Sequence, residues 1–246
     1  MPGTIRVGIG GWTFKPWRGT FYPDGLTQKR ELEYASRALT SIEINGTYYS
    51  TFKPDSWRKW REETPEDFVF AVKASRFCTN RRVLTDAAES IERFLGQGMS
   101  ELGDKLGPIN WQLAHTKKFD AEDIAGFLAL LPEEVDGVPL RHALEVRHPS
   151  FETDEFYDLA RDHNAAIVCA AGGKYSEIDQ PTADFSYARF MSTSADQEIG
   201  VSGAELGKIA KRTKGWADRG DVFGYFISGE KVKNPAAAQA LIKKVG

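Results

Sequence analysis

Apolar positions along the chain switch repeatedly between two periods. Short stretches alternate at a period of two, or run apolar, as strands do. Between them lie longer stretches with apolar residues three and four apart, the mark of a helix facing a core. Residues 5–10 form the first predicted strand, followed by the loop Gly10-Gly11-Trp12-Thr13-Phe14. A helix over 27–38 has Thr27 at its N-cap. Ser41-Ile42-Glu43-Ile44-Asn45 alternates as a second strand, and a helix opens at Pro54-Asp55 and stops before Pro65. Strands are then expected over 68–74 and 107–113, with helices over 85–96 and from the Asp120 cap to Pro132. Near 140–149, Leu144 and Val146 alternate with Ala143, Glu145 and Arg147 until Pro149 ends the ladder. Thr153 caps the next helix, which closes at Asn164, and the apolar run 165–170 reads as a buried parallel strand. After an irregular stretch over 172–181 come a strand at 185–190, a helix behind the Ser202/Glu205 capping box, and a strand at 221–227. The last helix opens at Asn234-Pro235.

Strands alternating with helices in this way build parallel βα units. Eight such strands in 246 residues fit a TIM-type (β/α)8 barrel, a closed parallel sheet, as one domain spanning 1–246. An open doubly wound sheet is the alternative. It would show a glycine fingerprint after the first strand, and Thr13 stands where the third glycine belongs.

In a barrel the apolar residues of each strand pack on the helices, and the alternate residues point inward. Ile42, Ile44, Phe70, Val72, Leu144 and Val146 mark the outward face. The inward face then holds Glu43, Asn45, Lys73, Asn110, Gln112, Glu145, Arg147, Tyr187 and Arg189, all near the C-terminal ends of their strands. Barrel enzymes place their sites at that end. Charges buried there cost several kcal/mol each unless they pair or meet a ligand. Glu43 and Glu145 either neutralise Lys73, Arg147 and Arg189 or act as acid and base. Asn45 and Gln112 read as hydrogen-bond supports, with direct ligand contact the other option. Trp12 serves as a core plug or a stacking wall. His148 is a site residue or a solvent-facing one, whereas His115, His142 and His163 have no ligand-like spacing. Lys231 and Lys243-Lys244 read as solvated faces.

Composition narrows the function classes. The hydrophobic share of 41%, the charged share of 27% and the net charge of −3 describe an ordinary folded chain. They argue against non-specific binding of nucleic acid or membrane by the whole surface, although nucleic acid at a local basic site stays open. No apolar run is long enough for a membrane helix, and no leader-like apolar segment opens the chain, so a cytoplasmic location is expected. The two cysteines, Cys78 and Cys169, are expected as free thiols.

Several motifs, in order, resemble the YecE-like family, domain of unknown function 72. They are Gly8-x-Gly10-Gly11-Trp12, Phe21-Tyr22-Pro23, Glu43-Ile44-Asn45-x-Thr47-Tyr48-Tyr49, Phe70-x-Val72-Lys73, Leu102-Gly103-x-Lys105-Leu106-Gly107-Pro108, Gln112-Leu113, Glu145-x-Arg147-His148-Pro149-Ser150 and Thr182-Ala183-Asp184-Phe185-x-Tyr187-x-Arg189. The resemblance implies a TIM barrel and no established activity. Two positions depart from its pattern: Met191-Ser192 stand where the family usually has His-Gly, and Ile227-Ser228 where it usually has paired asparagines.

The expected chemistry is acid/base work on a small phosphate- or carboxylate-bearing substrate, without metal or organic cofactor. Glu43, Lys73 and Glu145 are the catalytic candidates. Trp12, Asn45, Tyr48, Gln112, Arg147, His148, Tyr187 and Arg189 are the ligand-binding ones, with Arg147 and Arg189 forking directly onto the anion. The alternatives are a metal-assisted phosphodiesterase on nucleic acid, a glycosidase using the glutamate pair, and a non-catalytic binding barrel.

Overall fold

The first strand, β1 (Ile5–Gly10), pairs in parallel on both sides, with β2 (Ser41–Ile44) and with the last strand, β11 (Asp221–Phe226). The sheet continues from β2 through β3 (Val69–Lys73), β4 (Leu106–Gln112) and β7 (His142–Glu145), and from β11 through β10 (Phe185–Phe190). Its two ends are β8 (Ala166–Ile167), on β7, and β9 (Cys169–Ala171), on β10. Only Val168 separates β8 from β9, so consecutive pieces of one stretch complete the ring. The computed structural model describes residues 2–246, and in it nine parallel strands fill eight positions of a TIM-type barrel.

The helices alternate with the strands: α1 (Glu31–Ala38), α2 (Pro54–Glu63), α3 (Arg76–Thr79), α4 (Ala88–Leu95), α5 (Ala121–Ala129), α6 (Asp154–Asp162), α7 (Gly203–Ala217) and α8 (Asn234–Val245). Caps expected from sequence form at three of them. The side chains of Asp120, Thr153 and Ser202 accept from the backbone N–H of Asp123, Phe156 and Glu205. Thr27 makes no such bond; a 3-10 turn, Gln28–Arg30, intervenes before α1. The short helix α3 and the antiparallel hairpin of β5 (Glu134–Val135) and β6 (Val138–Pro139) carry no apolar period and were not expected. Among the described residues no helix is long and apolar enough to cross a membrane.

Two apolar cores follow from the alternation. Ile42, Ile44, Phe70, Val72, Leu144 and Val146 belong to the large one, shared with the helices. The barrel interior holds Val69, Ala71, Ala143, Ala166, Val168, Phe185, Tyr187, Phe223 and Tyr225. Alanines on β3, β7 and β8 thus leave room for the four aromatic rings of β10 and β11. At Gly8 a Cβ would lie 1.8 Å from the Ser41 carbonyl oxygen, so β1 can approach β2 only with a glycine there. Arg141 closes the N-terminal end, its guanidinium 4.6 Å from the centroid of Phe223 and 3.1 Å from Asp221. His142 stays structural: its Nδ1 accepts from Trp111 and its Nε2 donates to the Pro132 carbonyl, while burial pulls its pKa down.

Candidate active site at the C-terminal mouth

One layer above the interior aromatics, the inward positions become charged. Glu43 from β2 and Glu145 from β7 are fully buried, and Arg189 from β10 lies between them. Arg189 donates through Nη2 to Glu43 Oε1 at 3.0 Å and through Nη1 to Glu145 Oε2 at 2.6 Å. Tyr187 gives a short hydroxyl bond to Glu43 Oε2. Asn110 Nδ2 reaches both carboxylates, at 3.4 Å and 3.2 Å, and Gln112 Nε2 donates to Glu145 at 2.7 Å. Arg147 donates to Glu145 Oε1 through both Nε and Nη2, at 3.0 Å and 2.8 Å. Every carboxylate oxygen in the layer therefore has a donor, which a buried charge requires.

The electrostatics follow this pairing. Burial pushes the Glu145 carboxyl up, but Arg189 and Arg147 outweigh it and hold the pKa at about 2. For Arg189 burial disfavours the charge, and Glu145 with Glu43 more than restores it. Burial and the Glu43 charge raise the Tyr187 hydroxyl well above its ordinary value. Lys73 is the exception. Burial, then the charge of Arg189, pulls its ammonium down to about 8. Among the described residues its Nζ makes no ion pair or hydrogen bond, and it lies 4.3 Å from the centroid of the Tyr48 ring.

Above this layer opens a cavity of about 690 Å³, within the range of metabolite sites. Lys73, Arg147, Lys174, Arg189 and Lys231 line it, and no aspartate or glutamate does among the described residues. With two carboxylates beneath five cations, the formal surplus is three positive charges. Asn45 and Gln112 also line the cavity, as do Tyr49, Tyr175 and Ser228, while Met191, Phe226 and Ile227 make an apolar wall. Three of the four departures noted in the sequence pattern, Met191, Ile227 and Ser228, thus sit in the cavity wall.

Glu43, Asn45, Lys73, Gln112, Glu145, Arg147, Tyr187 and Arg189 come together as the alternation demands, with Tyr48 under Lys73. Four expected ligand contacts, Trp12, Tyr48, His148 and Tyr187, are absent from the lining; Tyr48 lies under Lys73 and Tyr187 in the glutamate layer, while Trp12 and His148 stand apart from the site. The Trp12 ring packs edge-on against Trp60 at 5.2 Å and Phe70 at 6.3 Å, on the outer core. His148 accepts the Ser150 N–H at 3.1 Å and so caps the Pro149–Phe151 turn. The fork of Arg189 is directed first at the protein: each terminal nitrogen already donates to a glutamate, and its Nε is buried without a partner. Arg147 keeps only Nη1 free of Glu145. Sequence reasoning missed Lys174 and Tyr175; it read Lys231 as solvated, and Lys231 is exposed while also lining the cavity. The glycine pair Gly172-Gly173 at the C-terminal end of a barrel strand was the available signal for the first two.

Comparison with known proteins agrees with this barrel. UPF0759 protein YecE of Escherichia coli K12 is 30% identical over 150 residues, which cover 60% of this chain and 50% of YecE. UPF0759 protein YunF of Bacillus subtilis 168 is 24% identical over 182 residues, covering 72% of this chain and 61% of YunF. The chain thus spans about half to three-fifths of the length of these curated relatives. A crystal structure of a DUF72 family protein from Thermotoga maritima superposes with a TM-score of 0.75 at 23% identity, over 97% of both chains. One from Enterococcus faecalis gives 0.70 at 16% identity, over 98% of this chain and 97% of that one. At these identities the likeness is one of fold. The family described as "Protein of unknown function DUF72" matches residues 6–246, and this chain belongs to it.

Proposed function

We propose that the barrel mouth binds a small anionic substrate and transforms it by acid/base chemistry, with Lys73 as the proton-transferring group. The observation that carries this reading is a cavity whose charged lining is entirely cationic, above two carboxylates already neutralised by arginine. A phosphate or carboxylate there meets Lys73, Lys174, Lys231 and the free edge of Arg147. Catalysis needs a group that exchanges protons near neutrality. Glu145, at about 2, is not one, and Lys73, at about 8, is. The Glu43–Arg189–Glu145 layer then acts as a rigid base that positions Arg147 and supports Lys73.

The rival chemistries ask the same carboxylates to do something else. A glycosidase needs two carboxyl groups that flank a sugar, and a metal-assisted phosphodiesterase needs oxygens free to ligate. Both glutamates are fully buried under Arg189 with their oxygens engaged, which favours anion binding over either. Calorimetric titration with inorganic phosphate and simple phosphate esters tests the proposal. Wild type is expected to bind, less tightly as ionic strength rises. Lys73→Met and Lys231→Met should each weaken binding about tenfold, since a hydrogen bond to a charged group contributes about 1.5–3 kcal/mol. No binding by wild type, or binding by both variants as tight as that of wild type, would sink it.

A further inference from the structure

We infer that Lys73 is a nucleophile that captures the carbonyl carbon of a small anionic keto compound as a Schiff base in the barrel mouth. The inference rests on the anion-binding reading, names its substrate class, and gives Lys73 covalent capture in place of simple proton transfer.

The two arginines of the cavity wall are paired with carboxylates, and its three lysines each face an aromatic ring, Lys73 that of Tyr48. Arg189 is held by two carboxylates, and Arg147 by Glu145 and by the Tyr175 ring 4.7 Å away. Lys231 lies 4.3 Å from the Phe14 centroid and Lys174 5.2 Å from that of Tyr175. Lys73 alone combines partial burial, a position at the end of a barrel strand and a place in the cavity wall with no oxygen hydrogen-bonded to its Nζ. A lysine kept only to attract anions is served by solvent access and a full charge. One withdrawn from water and set beside guanidinium groups sheds its proton, as an amine nucleophile must. With a pKa of about 8, about one Lys73 in ten is neutral at pH 7. The Tyr48 ring beneath Nζ restricts the approach of water from that side.

The chemistry balances without an oxidant or reductant. The lone pair of neutral Nζ attacks the carbonyl carbon, and the π pair moves to oxygen. A proton passes from nitrogen to that oxygen, giving a carbinolamine. A second proton on the hydroxyl lets it leave as water, and the nitrogen lone pair closes the C=N bond as a protonated imine. The overall change is carbonyl compound plus lysine ammonium to iminium plus water. The substrate's carboxylate or phosphate would lie against Arg147, Lys174 and Lys231 across the cavity, so that binding of the anion sets the carbonyl beside Nζ.

Reductive trapping tests this. Wild type and Lys73→Arg, each checked for folding by circular dichroism, would be incubated with sodium cyanoborohydride and one of three probes. Pyruvate represents keto acids, dihydroxyacetone phosphate represents ketose phosphates, and hydroxyacetone is the uncharged control. Intact-mass spectrometry with peptide mapping reads the secondary amine that hydride addition leaves. The expected result is a single adduct on Lys73 with at least one anionic probe. It should form at least tenfold faster than with hydroxyacetone, be suppressed by excess phosphate and be absent from Lys73→Arg. Which anionic probe reacts assigns the acid or the phosphate. Adducts scattered over surface lysines, equal in both proteins, would overturn the inference. If calorimetry shows phosphate in the mouth but no adduct forms, the Schiff base falls and the anion site stands. If Lys73 reacts equally with hydroxyacetone and no phosphate binds, the anionic substrate class falls together with the reading beneath it.

Discussion

At the scale of single residues, half-buried Lys73 and buried Arg189 show two opposite treatments of a cation withdrawn from water. Arg189 reaches two carboxylates with two nitrogens, so its charge is offset where it sits. Lys73 lies a few side chains away with none, and its ammonium is pulled from an ordinary 10.5 to about 8. That depression has a cost. A lysine whose folded pKa lies below its unfolded value destabilises the fold fully at pH below 8, and the penalty disappears as pH rises toward 10.5. Replacing it with methionine should therefore stabilise the empty protein at pH 7, by up to about 3 kcal/mol on the pKa scale. Thermal melts of Lys73→Met and wild type at pH 7 and pH 10 check this. The two should converge at the higher pH, and a destabilised variant at pH 7 would contradict it. A residue that weakens the fold and is kept at the mouth is the pattern expected of a functional group.

At the scale of elements, the loop after β9 is held in place differently from the strands. It carries Lys174 and Tyr175 over the cavity yet forms no regular structure as far as β10. Its hold on the barrel comes from Ile178, buried in the outer core, and from polar contacts with α7. Arg212 pairs with Glu177 and, at 2.8 Å, with Asp179, and Trp216 Nε1 donates to Asp179 at 2.8 Å. Half-exposed ion pairs of this kind contribute little to global stability, about 1 kcal/mol or less. They can still govern the position of the loop's exposed residues around Ile178. Arg212→Met should leave the melting temperature within a few degrees of wild type, yet raise protease cleavage within 172–181 several-fold and weaken phosphate binding. Limited proteolysis with mass mapping, run beside calorimetry, reads both. Unchanged cleavage would show that the tether does not position the loop.

At the scale of the whole molecule, the barrel concentrates opposite charge in one plane across strands that are distant in sequence. Glu145, held at about 2 against an ordinary 4.5, stabilises the fold at pH above 4.5, and that contribution is lost as pH falls toward 2. The size is of order 3 kcal/mol. Acid unfolding followed by circular dichroism should show a steep limb between those values. Glu145→Gln should be less stable at pH 7, because Arg189 and Arg147 lose a shared partner, and should have a shallower acid limb. An unchanged limb would assign acid sensitivity to other carboxylates, such as Asp221 or Asp123, whose pKa values are also held down.

The period-two alternation in 41–45, 140–149 and 185–190 was enough by itself to determine which side chains enter the barrel. In a strand the side-chain face is a local property, decided by odd or even position. For the same reason the caps at Asp120, Thr153 and Ser202 were legible, since each bond spans three residues. The motifs carried the family as well. What only the tertiary structure decided is how the inward charges are shared. Glu43 and Arg189 are 146 positions apart, and no local pattern says that the guanidinium forks onto glutamates instead of an incoming anion. Trp12 and His148 were misplaced for a related reason: loop residues have no period, and their contacts with Trp60 and Ser150 depend on how the chain turns. The isolation of Lys73 is likewise a property of the assembled mouth. It exists because the nearby carboxylates are engaged by Arg147, just after β7, and Arg189 of β10, which the chain brings together only when the sheet closes.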